Sequence, residues 1–219
     1  MTYRSPHEKR EQSLRLYHGA LALLVVFVLV SLLDFPLLHA LTRADEHGRI
    51  DRSFETEDWY SMLRIVGSLW TWIVLSLALL LLDRTLRRAL PVLVAPLIAG
   101  LGAELLKLIF ARERPVDGGV IQDGFYHFRV PFSGFIDGSN LGLPSSHTAV
   151  AFGGMTVLAL MKPRLAPLCI LLALGCGLSR MLTGAHFASD VLLGAVVGIL
   201  AARWIMSSES RSDRKYTFP

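Results

Sequence analysis

Apolar residues in this chain come in six blocks separated by shorter polar or charged stretches. The blocks cover about Tyr17–Leu41, Ile65–Leu82, Ala89–Phe110, Ser145–Met161, Leu165–Leu182 and Phe187–Met206. A helix of roughly 20 mostly apolar residues crosses the hydrocarbon core of a bilayer. Inside lipid, a helix also satisfies its own backbone N–H and C=O groups. The pattern therefore predicts an all-α fold: a six-transmembrane-helix bundle forming a single domain over residues 1–219, with a long non-cytoplasmic loop between spans three and four. The first block is interrupted late by Asp34 and Pro36, and the fourth is short. The first block is too long for the apolar region of a signal peptide and lacks a small-residue cleavage site, so it is read as an uncleaved span.

Charge orients the bundle. Arg4, Lys9, Arg10 and Arg15 precede span one, and Arg84, Arg87 and Arg88 lie between spans two and three. Lys162 and Arg164 lie between spans four and five, and Arg203, Arg211, Arg214 and Lys215 are at or beyond the end of span six. With six alternating helices these segments fall on one side, which the positive-inside rule makes cytoplasmic, with both termini. The opposite side carries the connection Thr42–Arg64, with six acidic residues, and the long stretch Ala111–Pro144. Within that stretch, Val116–Leu143 holds Phe125, Tyr126, Phe128, Phe132 and Phe135 among its glycines, and reads as a structured loop at the membrane interface. Trp59, Tyr60, Trp70 and Trp72 suit either an aromatic belt or ordinary packing.

Composition adds little that changes this picture. The chain has 219 residues, 53% hydrophobic and 18% charged, with a formal charge of +4. Because the basic residues flank apolar blocks, the positive charge reads as a topology signal, and nucleic-acid binding is set aside. Cys169 and Cys176 lie seven residues apart on one helix face, too far for a disulfide, and read as packing residues. Gly194 and Gly198 make a small-residue face on the last span, and Pro96 reads as a tolerated kink.

Three polar clusters fall on the non-cytoplasmic side. Lys107 to Arg114-Pro115 ends span three, and Pro144-Ser145-Ser146-His147 opens span four. Ser179-Arg180, His186 and Asp190 bridge spans five and six. Phosphoryl transfer needs cations and N–H donors around the equatorial oxygens. Lys107, Arg114 and Arg180 supply three cations, and the arginine fork matches phosphate geometry. Ser145 can donate its hydroxyl, and the amides of Ser146 and His147 open a helix, which favours an anion. His186 and Asp190 share a helix face at i, i+4, so the carboxylate can hold one ring nitrogen and leave the other free to attack. His147 is available to protonate a leaving oxygen.

These clusters resemble the three signature motifs of the type 2 phosphatidic acid phosphatase superfamily: Lys-x6-Arg-Pro, Pro-Ser-Gly-His and Ser-Arg-x5-His-x3-Asp. The resemblance implies that Lys107, Arg114, Ser145, Ser146 and Arg180 bind phosphate. It also implies that His186 becomes a phosphohistidine assisted by Asp190, that His147 is the general acid, and that no metal or other cofactor is needed. The implied activity is that of a lipid-phosphate phosphatase of the bacterial inner membrane with a periplasmic site. Its partners would be the bilayer and a lipid phosphate: lipid A phosphate, undecaprenyl pyrophosphate, phosphatidylglycerol phosphate or phosphatidic acid. The chain departs from the family at Ser146, where glycine is usual. The amide donor survives, and the added side chain narrows the pocket.

Each charged residue has a plainer reading alone, as an interfacial anchor or a helix cap. Asp190, an ionisable group within a span, is the hardest to read that way. Glu104, three residues before Lys107, reads as a charge partner for Lys107 or Arg180, and Asp34 is given no role. The reading from a different class is a non-catalytic protein that binds anionic lipids through the same pocket. A transporter is disfavoured because the charges gather at one surface instead of the midplane, and a haloperoxidase because those relatives are soluble.

Overall fold

The structure, a computed structural model, describes residues 5–84, 86–117, 119–122 and 124–216. Among the flanking basic residues, Arg4 lies outside the described residues, as do the side chains of Lys9, Arg211, Arg214 and Lys215. Each apolar block is helical. The helices are α1 (Pro6–Leu32), α2 (Asp34–Leu41), α3 (Asp58–Ile65), α4 (Leu69–Asp83), α5 (Leu86–Phe110), α6 (Ser146–Met161), α7 (Ala166–Leu182) and α8 (Ala188–Tyr216). Four helices (α1, α5, α7 and α8) are long and apolar enough to cross a membrane, and α3 with α4 makes a fifth if that bent pair is one span. At 16 residues, α6 is shorter; at 1.5 Å per residue it covers about 24 Å, against a hydrocarbon core of about 30 Å.

Local chemistry sets the helix ends. Ser5 and Glu8 form a reciprocal capping box at the start of α1, with Pro6 in the first turn. The first block is not one helix to Leu41: it breaks at Leu33, and α2 starts at Asp34 with Pro36 in its first turn. Proline has no N–H to donate and clashes with the preceding turn, so it is tolerated only near a helix start. The second block is also broken. Helix α3 reaches back to Asp58, and α3 and α4 meet at a 68° bend across Val66–Ser68. Carbonyls at the bend take side-chain donors: Thr71 Oγ1 donates to Ile65 O (2.6 Å), which also accepts the Ser68 amide, and Trp72 Nε1 donates to Val66 O (2.9 Å). Trp72 and Tyr60 are buried, whereas Trp59 and Trp70 are exposed, so the four aromatics divide between packing and surface.

Helix α6 is the central element, packed against α5, α7 and α8. Its core contacts are small or apolar: Ala149, Val150, Ala151, Met155 and Val157, facing Val92, Ala95 and Ala99 of α5 and Ala201 and Ala202 of α8. With lipid outside the bundle, close backbone approach and van der Waals contact hold such helices together. Gly198 of α8 shows how close the approach is. A Cβ there would lie 2.5 Å from the Ala149 carbonyl oxygen and 2.7 Å from the Gly153 nitrogen, both rigid backbone atoms. Gly198→Val is therefore expected to destabilise the protein by about 1–3 kcal/mol or more. Gly102→Ala, whose new Cβ would meet only a Val197 methyl at 3.7 Å, should be nearly neutral. Thermal unfolding of both variants in one detergent checks the pair.

The connections Thr42–Glu57 and Ala111–Pro144 dock on each other at one end of the bundle. A two-stranded antiparallel hairpin, β1 (Val116–Asp117) and β2 (Val120–Ile121), turns through Gly119. It pairs with the first connection through Ile50 N to Gly119 O and Ile121 N to Gly48 O, both 3.0 Å. The stretch between spans is thus structured, and it adds a small β element to an otherwise helical fold. Its Phe125, Phe128, Phe132 and Phe135 are exposed. Arg84, Arg87, Arg88, Lys162 and Arg164 lie at the far ends of the same helices, away from this β element, and Arg203 lies in the second half of α8.

Candidate functional site

At the end of the bundle bearing the loops, the start of α4, the end of α5, the start of α6, the end of α7 and the α7–α8 turn surround a cavity of about 380 Å³. Lys107 and Glu104 reach it from the last turns of α5, and Arg114 from the segment beyond. Ser146 and His147 enter from the first turn of α6, Arg180 from the last turn of α7, and His186 from the turn before α8. Residues far apart in sequence converge here because helices run end to end and their termini share one plane. Three cations against one carboxylate leave the lining positive. The open start of α6 adds backbone N–H groups and the positive end of its dipole.

Lys107 is buried and donates to Glu104 Oε1 at 3.0 Å. The same oxygen accepts from Ser146 Oγ at 2.5 Å. The Ser146 hydroxyl is therefore turned onto α5, which leaves its amide at the helix start. Glu104 is the charge partner of Lys107. Arg114 Nε donates to Leu141 O at 3.3 Å, and Arg180 Nε is buried without a hydrogen-bond partner among the described residues.

Ser145 and Asp190 do not line the cavity but stand behind it. Ser145 caps α6: its Oγ accepts from the Thr148 amide (3.4 Å) and from Thr148 Oγ1 (3.0 Å). Its own N–H donates to Asp190 O at 3.0 Å, which ties α6 to α8. Asp190 is wholly buried in the first turn of α8, and its Oδ2 accepts the Phe187 amide at 2.8 Å. That is half of a capping box, satisfying a donor the helix start leaves free. His186 Nδ1 lies 3.6 Å from the same Oδ2 and has no hydrogen-bond partner among the described residues. This is longer than a hydrogen bond. The arrangement turns Nε2 of His186 toward the cavity.

Burial pulls His186 down to about 4; Asp190 opposes this, while Arg180 and Lys107 add to it. Protonation of an ordinary histidine is half complete near pH 6.5. The sign follows: between 6.5 and about 4 the unfolded chain binds a proton at this residue that the folded chain does not. Folding stability from His186 is thus fully present above 6.5 and is lost as pH falls through that window. At pH 5.5, isotope-labelled histidine spectra should show His186 as neutral imidazole. A protonated His186 at that pH would contradict the burial argument.

Two buried charges had no role in the sequence reading. Arg112, inside the first motif, donates to Asp190 Oδ1 at 2.6 Å. Asp34 follows the break after α1 and accepts the Ser189 amide at 2.9 Å. The available signal was an ionisable residue inside an apolar block for Asp34, and an unassigned cation within a motif for Arg112.

The family model of the PAP2 superfamily matches residues 88–214, more than half of the chain and the region that contains every one of these polar groups except Asp34. The chain belongs to the PAP2 superfamily. Two lipid A 1-phosphatases, from Rhizobium etli and Rhizobium johnstonii, are 33% identical to it over 104 residues, 46% of this chain. The matched region spans only 41% and 39% of the length of those relatives. The PAP2 fold extends further. The crystal structure of Aquifex aeolicus LpxE superimposes with a TM-score of 0.57 at 20% identity, covering 80% of this chain and 95% of that one. That of the first transmembrane PAP2-type phosphatidylglycerolphosphate phosphatase from Bacillus subtilis superimposes with a TM-score of 0.60 at 17% identity, covering 87% and 96%. At these identities the likeness is one of fold. With its apolar helices, this chain is an integral membrane protein of PAP2 architecture.

Proposed function

We propose that this PAP2 protein is a lipid-phosphate phosphatase that hydrolyses a phosphomonoester or pyrophosphate headgroup through a phosphohistidine at His186. The observation that carries this reading is the cavity itself. Three cations, an open helix start and two imidazoles face one space at the end of apolar helices, with a buried carboxylate behind one imidazole. In the first step Nε2 of His186 forms a bond to phosphorus as the bond to the lipid oxygen breaks, and His147 gives that oxygen a proton. Lys107, Arg114, Arg180 and the Ser146 amide bear on the equatorial oxygens, while Ser145 caps the helix start behind them. In the second step a water gives its proton to His147 and attacks phosphorus as the bond from phosphorus to Nε2 of His186 breaks, releasing inorganic phosphate. Asp190 stabilises the imidazole while it is cationic. No step in this scheme calls for a metal.

The membrane arrangement follows the same reading. The bent pair α3–α4 counts as one span and α6 as another, giving six spans in a single domain. The basic residues at the far ends of the helices make that end cytoplasmic, with both termini, and the cavity periplasmic in a bacterial inner membrane. A headgroup reaches such a site while its tail stays in the bilayer. Envelope lipids are the proposed substrates, lipid A phosphate foremost because the two relatives 33% identical to this chain are lipid A 1-phosphatases. Purified protein in detergent with a chelator, given lipid A phosphate, undecaprenyl pyrophosphate, phosphatidylglycerol phosphate and phosphatidic acid in turn, should release inorganic phosphate from at least one. Binding of all without turnover would instead make the chain a non-catalytic anionic-lipid binder.

A further inference from the structure

Behind the cavity lies a second polar layer that the reaction above leaves unused. Its members come from four parts of the chain: Asp34 after the α1 break, Arg112 after α5, Tyr126 in the long loop, and Ser189 in the first turn of α8. Asp34, Arg112 and Ser189 are all buried, with Asp34 at 1% exposure. Asp34 Oδ1 accepts the Ser189 amide at 2.9 Å. Its Oδ2 accepts from Ser189 Oγ and shares the Tyr126 hydroxyl proton, also 2.9 Å away, with the Ser31 carbonyl. Arg112 Nη2 donates at 2.6 Å to Ser189 Oγ and at 2.6 Å to Asp190 Oδ1, while Nη1 lies 3.8 Å from Asp34 Oδ2. The guanidinium also lies 4.9 Å from the centre of the Tyr126 ring and 5.2 Å from that of Phe187, two rings that pack edge-to-face against each other.

Buried charges are retained only when paired and hydrogen-bonded. Here two carboxylates share one guanidinium, so the layer is one charge short of neutral. That imbalance has a use. If Asp190 were the sole counterion of Arg112, the pair would be neutral and would offer little to a cationic imidazole at His186. With Asp34 taking part of the Arg112 charge, the layer keeps a net negative charge facing His186. The hydrogen bonds to Asp190 also leave its Oδ2 no freedom to turn away from the ring.

We propose that Asp34 and Arg112 are positioning residues for the reaction at His186, Arg112 fixing the Asp190 carboxylate and Asp34 keeping its charge available to the imidazolium. This rests on the reading of His186 as nucleophile. Asp34 lies outside the matched family region, so the N-terminal helices of this chain complete the site from behind.

The test uses full-length protein in detergent and the lipid phosphate hydrolysed fastest in the panel above. Asp34→Asn is expected to lower kcat roughly ten- to a hundredfold, the usual effect of losing a partner one shell out. KM and inhibition by orthovanadate, which report the cavity, should stay within about twofold of wild type. Tyr126→Phe, which removes one donor from Asp34 and little volume, should lower kcat roughly fivefold, the worth of one hydrogen bond. It keeps the test open if Asp34→Asn does not accumulate. Arg112→Gln, which releases the Asp190 carboxylate, should also lower kcat with KM little changed. A purely structural layer predicts the reverse: lower melting temperature in each variant and unchanged kcat per folded molecule. Wild-type kcat in Asp34→Asn and Tyr126→Phe would overturn the inference. His186→Ala separates the two claims. If it turns over like wild type, or if no lipid in the panel is hydrolysed, the phosphohistidine reading itself fails. If it is inactive while the Asp34 and Tyr126 variants are normal, only this inference fails.

Discussion

His186→Ala is expected to abolish phosphate release, with kcat falling by about 10⁴-fold or more, as for loss of a covalent nucleophile elsewhere. The variant removes the only group proposed to bond to phosphorus and leaves the cations untouched. It should therefore still bind a lipid phosphate, with affinity close to that of wild type. The decisive measurement is covalent. Wild-type protein quenched in alkali during turnover of a labelled lipid should carry phosphate that is stable to base and released by acid, as a phosphorus–nitrogen bond is. His186→Ala should carry none. Label persisting in the variant would move the nucleophile to another residue, with His147, the other imidazole lining the cavity, as the first candidate.

The second large effect is at Asp190, where catalysis and stability should fall together. Its carboxylate meets three donors: Arg112 Nη2 at 2.6 Å, the Phe187 amide at 2.8 Å and His186 Nδ1 at 3.6 Å. Asparagine offers one acceptor oxygen and an NH2 group, so whichever way it turns, one buried donor faces another. It also withdraws the nearest counterion of Arg112. Asp190→Asn should cost about 3–5 kcal/mol in stability, the range for breaking a buried ion pair by removing one partner. It should lower kcat by roughly 10³–10⁴-fold, comparable to the same change behind the histidine of a serine-protease triad. Chemical denaturation in detergent and single-turnover phosphate release report the two separately. A stable, inactive variant would mean that Arg112 finds enough compensation in Asp34. A destabilised but active one would remove Asp190 from the reaction.

Much of the site could be read from the chain because its elements are marked by local chemistry. A cation at the end of an apolar block, two serines before a histidine at the start of another, and a histidine and aspartate four apart each announce a position on a helix. Since alternating spans bring those helix ends to one surface, the residues around the cavity were nameable in advance. The breaks at Leu33 and at Val66–Ser68 were less legible. Both regions are apolar enough to pass as continuous helix, and what fixes them is where Thr71 and Trp72 find carbonyls and where Pro36 can be tolerated. Glu104 was legible from spacing as a partner for Lys107 or Arg180, and packing gives it to Lys107. That Ser146 would bond to the same carboxylate was not, because it depends on how α6 lies against α5.

The sequence by itself determined the apolar blocks, the distribution of positive charge and the identity of the groups facing the cavity, since these depend on composition and on spacing within single helices. The tertiary structure decided what stands behind them. Asp34 and Arg112 are 78 residues apart in number and reach Ser189 and Asp190 only once α1, α5 and α8 have packed. A buried charge must find its partner wherever folding puts one, and no local pattern encodes which partner that will be.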